Sequence, residues 1–232
     1  MAGIMAWSSG FPAPRHLVAP LSAPCLLLAG GGEEECTIYD EVAALAVARG
    51  WRSTVVSLRQ STDQQTRREH LRLLTRAYDE LVATDPPAMP FMDPPVWAIA
   101  ADYSAYLVTL LSQRRPLARM LLRSPAVYAD SDWDSSKAEL DRRGARMIRH
   151  RELAPNDNLA LCAASQYLGQ VTILESESEE MALHGLHVDY FHAFSRASER
   201  SLTRLGHGRK GMQRQFCDDF RQAVDKWLAT QP

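Results

Sequence analysis

No apolar run in this chain approaches the roughly 20 residues that a membrane-spanning helix requires. The N-terminus also lacks a basic start followed by a long apolar region, so neither a membrane segment nor a signal peptide is expected. Charge of one sign is equally scarce. Lys and Arg number 26 against 28 Asp and Glu, a net charge of -2, so no strong pull toward nucleic acid or a membrane surface is expected. Cysteine is rare and scattered. Cys25, Cys36, Cys162 and Cys217 show no CxxC spacing, and Cys25 and Cys162 sit within apolar patterns, which predicts buried free thiols in a reducing cytosol. Internal repeats and low-complexity domains are absent.

Apolar material, by contrast, is ample. At 46% of 232 residues it suffices for a large core, and 23% charged residues mark a soluble globular protein. The length fits one α/β domain spanning residues 1–232. Residues 1–20 carry several Pro and Gly without a clear period and are read as irregular, with one short edge strand near His16 to Val18. Cys25 to Ala29 is a continuous apolar run bounded by Pro24 and Gly30, as expected of a strand buried on both faces. Gly30-Gly31-Gly32 follows, where backbone N–H groups either approach a ligand closely or simply make a tight connection.

The spacing predicts a helix over Asp40 to Arg49, stopped by Gly50, then a strand over Trp51 to Leu58. Leu71, Leu74, Tyr78 and Leu81 step by three and four along a further helix, whose charges Arg67, Arg68, Glu69, Arg72 and Arg76 read as a solvated face. The prolines of Asp85 to Pro95 dictate a loop. Further strands are expected over Ala118 to Leu122, Val171 to Leu174 and Ser201 to Leu205. Helices are expected around Ala138 to Met147, over Asn158 to Leu168 with a stop at Gly169, near Val188 to Ala197, and at the C-terminus, where Phe216, Phe220, Val224 and Trp227 step by four, four and three. Strands alternating with helices imply an α/β fold with a mostly parallel central sheet and helices on both faces. Residues 130–157 are polar and form a short lid insertion at most, so little or no cap is expected.

The organising stretch is Val96 to Leu107. The apolar run Val96 to Ala101 meets one acid, Asp102, and continues directly into a helical pattern with Leu107, Leu110 and Leu111. A strand that turns sharply into a helix, with a reactive side chain at the corner, is the geometry of a nucleophile elbow. The corner residue is strained, its side chain leaves the sheet, and the helix start offers free N–H groups to negative charge. The usual pattern is Gly-x-Ser-x-Gly. Here it runs Ala100, Ala101, Asp102, Tyr103, Ser104.

With that corner in place, residues 24 to 230 resemble the α/β-hydrolase superfamily, and most of all small bacterial serine hydrolases of the dienelactone hydrolase and acyl-peptidase-like type. Tyr103, Tyr106 and Leu107 match their elbow Gly-x-Ser-Tyr/Phe-Gly-Gly-Tyr-Leu without a gap. Arg115-Pro116, Leu122 to Pro125 with Tyr128, and Asp132-Trp133-Asp134 resemble the segments downstream of the elbow in that group. The resemblance implies the chain order nucleophile, acid, histidine, which falls on Asp102, Glu179 (with Glu177 as the neighbouring candidate) and His207. It also implies an oxyanion hole from Gly30, Gly31 and the Tyr103 N–H. Haloalkane dehalogenases and epoxide hydrolases of the same fold carry an elbow Gly-x-Asp-Trp-Gly that is similar to Ala-Ala-Asp-Tyr-Ser here.

Other readings of these residues stay open. An acid at a helix start is favoured by capping and the helix dipole alone. The glutamates also fit a solvated turn, and a loop histidine a surface position. Ser104 stands where the family has a glycine one turn into the helix and is a poor nucleophile. His184, His187 and His192 invite a metal, yet lack further ligands at fitting positions, so neither metal nor cofactor is expected. Three functions remain: a hydrolase of a small organic substrate with Asp102 as nucleophile, a catalytically decayed binding or partner protein, and a hydrolase using Asp102 as general base for water. A cytoplasmic location and a small-molecule substrate are expected, and a homodimer is compatible with the composition.

Overall fold

A computed structural model describes residues 15–17, 24–30, 33–58, 64–83, 94–143, 158–176, 181–205 and 213–230. Among them the strands are β1 (Arg15–Leu17), β2 (Cys25–Gly30), β3 (Arg52–Ser57), β4 (Val96–Ala101), β5 (Arg119–Arg123), β6 (Gln170–Ser176) and β7 (Glu199–Leu205). The helices are α1 (Glu33–Ala48), α2 (Arg67–Val82), α3 (Asp102–Leu111), α4 (Lys137–Arg143), α5 (Leu159–Gln166), α6 (Met181–Ala193) and α7 (Gln213–Ala229). The sheet order is β1-β3-β2-β4-β5-β6-β7; β1 is antiparallel to β3 and every other pairing is parallel.

Parallel strands need crossovers, and these cover both faces of the sheet. The apolar runs follow from that. In β2, Cys25, Leu27 and Ala29 belong to the apolar cluster that α2, α3, α5 and α6 complete, while Leu26 and Leu28 belong to the one completed by α1 and α7. β4 divides in the same way, Val96, Ala98 and Ala100 against Trp97 and Ile99. Each strand is thus apolar at successive positions, not alternate ones. On the second face Trp51, Trp97 and Trp227 meet edge-on at 4.6 and 4.8 Å, with the Arg119 guanidinium 4.2 Å over Trp97, which fixes α7 to the sheet.

Several elements depart from what local patterns predict. α1 begins at Glu33 and not at Asp40; its buried stripe also starts earlier, at Tyr39, and continues through Val42, Ala43 and Ala46. α6 begins at Met181 and ends at Ala193; its buried stripe Leu186, Tyr190, Ala193 steps by four and three, and the expectation of Val188 to Ala197 started in mid-helix. Arg67 is fully buried, not solvated. Its guanidinium donates to the Tyr106 hydroxyl (3.1 Å) and the Ala129 carbonyl (2.7 Å) and lies 5.5–5.7 Å from the Tyr106, Tyr128 and Trp133 rings. Those partners come from distant parts of the chain. Cys25 is buried as expected, whereas Cys162 is only half-buried.

Residues 130–143 are a 3₁₀ turn (Asp130–Asp132) followed by α4, tied to the start of α2. Lys137 N–H donates to Gln65 C=O, Ser136 bridges Thr66, and Arg68 pairs with Asp134 through both its Nε (2.8 Å) and Nη2 (3.2 Å). The rest of the expected lid, 144–157, lies outside the described residues.

Gly50 stops α1 at φ 80, the left-handed position that glycine adopts without steric cost. Gly169 serves a close approach of backbone instead. A β-carbon there would stand 2.5 Å from the Ala118 carbonyl oxygen and 2.3 Å from the Tyr167 hydroxyl. Since Ala118 C=O also accepts the Gln170 N–H, it has little room to yield. Gly169→Ala is therefore expected to destabilise the protein by about 1–3 kcal/mol. A thermal melt reads this as a Tm lower by roughly 3–10 °C; an unchanged Tm contradicts the close approach.

Candidate functional site

The parallel register brings the carboxyl ends of β2, β4, β6 and β7 to one rim of the sheet. β4 is buried on both faces up to Ala101, and the next residue, Asp102, turns the chain into α3 with φ 48. A non-glycine residue in this left-handed region costs roughly 1–2 kcal/mol, least for Asp and Asn. Burial of one large apolar side chain contributes about 1.5–3 kcal/mol. The buried flanks of β4 and α3, including Trp97, Ile99, Tyr106 and Leu107, therefore outweigh the strain many times over.

Local hydrogen bonds complete the corner. The Ser104 hydroxyl accepts the Ala101 N–H (3.0 Å) and donates to the Ala101 carbonyl (2.7 Å), so Ser104 is a fully buried brace with its hydroxyl engaged. Ala126 N–H donates to the Asp102 carbonyl (3.3 Å). Asp102 itself is half-buried. The neighbouring Tyr103 is buried, with its hydroxyl 2.8 Å from His70 Nδ1 and its ring edge-on to Tyr128.

Of the residues singled out in the sequence, Asp102, Tyr103 and Gly30 are placed together. Gly30 ends β2, the strand beside β4, one position beyond the Ala29–Ala100 pair, and its carbonyl accepts the Leu58 N–H. Gly31, Glu177, Glu179 and His207 lie outside the described residues. β6 ends at Ser176 and β7 at Leu205, on the same rim, shortly before Glu179 and His207 in the chain.

One cluster on this rim was not anticipated. Glu175, one position beyond the strand expected over Val171 to Leu174, is the sixth residue of β6 and shares the face of Val171 and Ile173, only 3% exposed. Its Oε2 accepts from His184 Nδ1 (2.7 Å) and His187 Nδ1 (3.4 Å), and its Oε1 from the Arg204 Nε. Two signals were available: the period-two step Val171, Ile173, Glu175, and the three-residue spacing of His184 and His187 on one helix. Burial raises the Glu175 carboxyl pKa, but the hydrogen bonds from His184, Arg204 and His187 outweigh it, and the group stays below its ordinary value. His184 and Glu175 thus have the contact of an acid–histidine pair. Arg204 Nη2 lies 3.2 Å from the same Nδ1, however, so that nitrogen is shared between Glu175 and Arg204. The cluster therefore reads as a clamp joining β6, β7 and α6. Among the described residues no group of three or more His, Cys, Asp or Glu is placed to hold a metal ion, and no helix is long and apolar enough to cross a membrane.

No protein-family model matches this sequence, and no curated protein is significantly similar to it. Solved structures do match. The chain is similar to a dienelactone hydrolase from Anabaena variabilis (13% identity, TM-score 0.61, 92% of this chain and 89% of that one). It is similar also to the thioesterase domain of the curacin biosynthetic pathway (13%, 0.60, 94% and 99%) and to a monoacylglycerol lipase from Paleococcus ferrophilus (10%, 0.60, 94% and 99%). At such identities what is shared is the fold.

The clamp makes stability depend on pH with a definite sign. The folded pKa of Glu175 lies below the unfolded value of about 4.3, so its contribution is complete above that value and is lost as pH falls through the folded pKa. Glu175→Gln is expected to lower the stability by about 2–3 kcal/mol at pH 7. Urea midpoints of variant and parent then converge as the pH falls below the ordinary carboxylate range. A constant gap between the two across this range contradicts an ionised Glu175 as the source.

Proposed function

We propose that this chain, which has the α/β-hydrolase fold, is a hydrolase of a small organic substrate, with its reaction centre at Asp102. The observation that carries the reading is the backbone of Asp102: a charged residue at φ 48, between a strand buried on both faces and the start of a helix. Strain of this kind persists where the surrounding packing over-determines it, and such residues cluster at functional sites. Loss of the flanking glycines is tolerated, since Ala100 and Ser104 are both fully buried in a corner that still turns.

A carboxylate is a weak nucleophile toward acyl carbon and an effective one toward a saturated carbon bearing halide or an epoxide oxygen. In the proposed reaction Asp102 oxygen forms a bond to that carbon as the halide departs with the bonding pair, or as the epoxide C–O bond opens and its oxygen takes a proton from solvent water. The resulting ester is then attacked at the Asp102 carboxyl carbon by water. His207 takes the proton from this water, and Glu179, with Glu177 as its alternative, holds the imidazole by the other ring nitrogen. N–H groups of Gly30, Gly31 and Tyr103 would receive the oxyanion that forms at the carboxyl carbon. Collapse of that intermediate, with the proton on His207 passing to the leaving alkoxide, releases the alcohol and restores Asp102 and His207.

The test is a panel of p-nitrophenyl esters, epoxides and haloalkanes, run with the parent and with Asp102→Asn. Turnover of at least one class is expected, with epoxides and haloalkanes favoured, and Asp102→Asn should lower it by about 10³-fold or more. Flat rates across the whole panel would sink the hydrolase reading and leave a binding or partner protein on the same fold.

A further inference from the structure

Tyr103 stands directly after the strained corner, and its side chain is held more elaborately than a packing role demands. The ring is 2% exposed, edge-on to Tyr128 at 5.6 Å, and the Lys137 ammonium lies 5.3 Å from its centroid. The hydroxyl meets His70 Nδ1 at 2.8 Å, and the imidazole itself is edge-on to the phenol ring at 84° and 1% exposed. Burial, and then the charge of Lys137, press the His70 pKa down to about 4. The ring is therefore neutral near pH 7, and with its proton on Nε2 the Nδ1 lone pair accepts the phenolic O–H.

His70 sits on a fixed post. The start of α2 carries a capping box in which Thr66 and Glu69 satisfy each other's backbone N–H groups. The same turn is bound to residues 129–137 through Arg67, Arg68, Thr66 and Gln65. A left-handed φ at Asp102 relaxes unless both sides of the turn are held. Ala101 is held by Ser104; Tyr103 is held by its own side chain.

We propose that His70 is a positioning residue for the Asp102 corner: by accepting the Tyr103 hydroxyl at Nδ1 it fixes Tyr103, and with it the direction of the Tyr103 N–H and the turn at Asp102. This rests on the reading of Asp102 as the reaction centre, and it adds a residue to the site that lies on another helix and touches no reacting atom.

The test compares His70→Leu, which removes the acceptor, with His70→Asn, whose Oδ1 occupies the same place as Nδ1 along the side chain. With a substrate from the panel, His70→Leu should lower kcat about tenfold, the worth of one buried hydrogen bond. KM should stay within roughly two-fold, because the loss concerns the transition state. His70→Asn should recover most of kcat. The second readout needs no substrate: amide hydrogen exchange at pH 7, with the Tyr103 N–H about tenfold faster in His70→Leu and near the parent in His70→Asn. Ile99 in β4 serves as reference and should not change. Should His70→Leu fail to fold, Tyr103→Phe removes the same hydrogen bond from the other side and carries the same expectation. Equal losses in the Leu and Asn variants, a Tyr103 exchange rate that ignores the substitution, or a parallel acceleration at Ile99 would each overturn the proposal. A parent inactive on every substrate, with Tyr103 exchange responding as stated, would instead remove the hydrolase reading and leave the positioning role intact.

Discussion

The turn from β4 into α3 forces a residue with a β-carbon into the left-handed region at Asp102, and much of the surrounding structure bears on that one dihedral angle. β4 approaches the corner with both faces buried, so the strand cannot rotate to relieve it. α3 leaves with every residue from Tyr103 to Leu111 buried, so the helix cannot tilt. The hydroxyl of Ser104 and the phenol of Tyr103 then fasten the two sides, one to Ala101 and the other to His70. A cost of roughly 1–2 kcal/mol is held in place by burial several times larger. The side chain that results projects from the carboxyl rim of a parallel sheet, where ligand sites of open α/β sheets form.

Two further assemblies stiffen that rim. On one side the N-terminal turn of α2 and residues 129–137 are sewn together by Arg67, Arg68 and Thr66, with the Arg67 guanidinium buried among Tyr106, Tyr128 and Trp133. On the other side Glu175 gathers His184, His187 and Arg204 and binds α6 and β7 to the end of β6. A buried ion is costly unless paired; Glu175 is met by three donors, and Arg67 is hydrogen-bonded through Nη1 and Nη2 with its Nε left without a partner. Supports of this kind hold the groups of the rim in place from behind.

The central strands and the amphipathic helices were legible in the sequence for plain reasons. β2, β4 and β5 are apolar at successive positions because helices cover both faces, and α2 and α7 each carry a long stripe at helical spacing. The corner itself was legible because an apolar run met an acid and a helical pattern without a gap. Charged groups that become buried were not. Arg67 finds its ring partners 39 to 66 residues away, so no local window distinguishes it from a solvated charge; Glu175 meets Arg204 29 residues on, and its period-two step from Val171 and Ile173 was the local sign of its burial. The start of α1 was missed because the sequence of its first turn offers no apolar stripe. His70 was hidden for the same reason as Arg67: its partner Tyr103 is 33 residues away. Glu179 and His207 were named from chain order alone and lie outside the described residues.

Covalent participation of Asp102 is the central claim, and one measurement addresses it directly. A single turnover with excess enzyme in heavy-oxygen water, followed by mass spectrometry of the peptide containing Asp102, reads where the water oxygen goes. Attack of water on an Asp102 ester places one heavy oxygen in the Asp102 carboxyl, while the product alcohol keeps the oxygen it took from the enzyme. A label found in Asp102 is the predicted result. Product formed with the heavy oxygen in the alcohol and none in Asp102 would contradict it, leaving Asp102 at most a general base for a bound water.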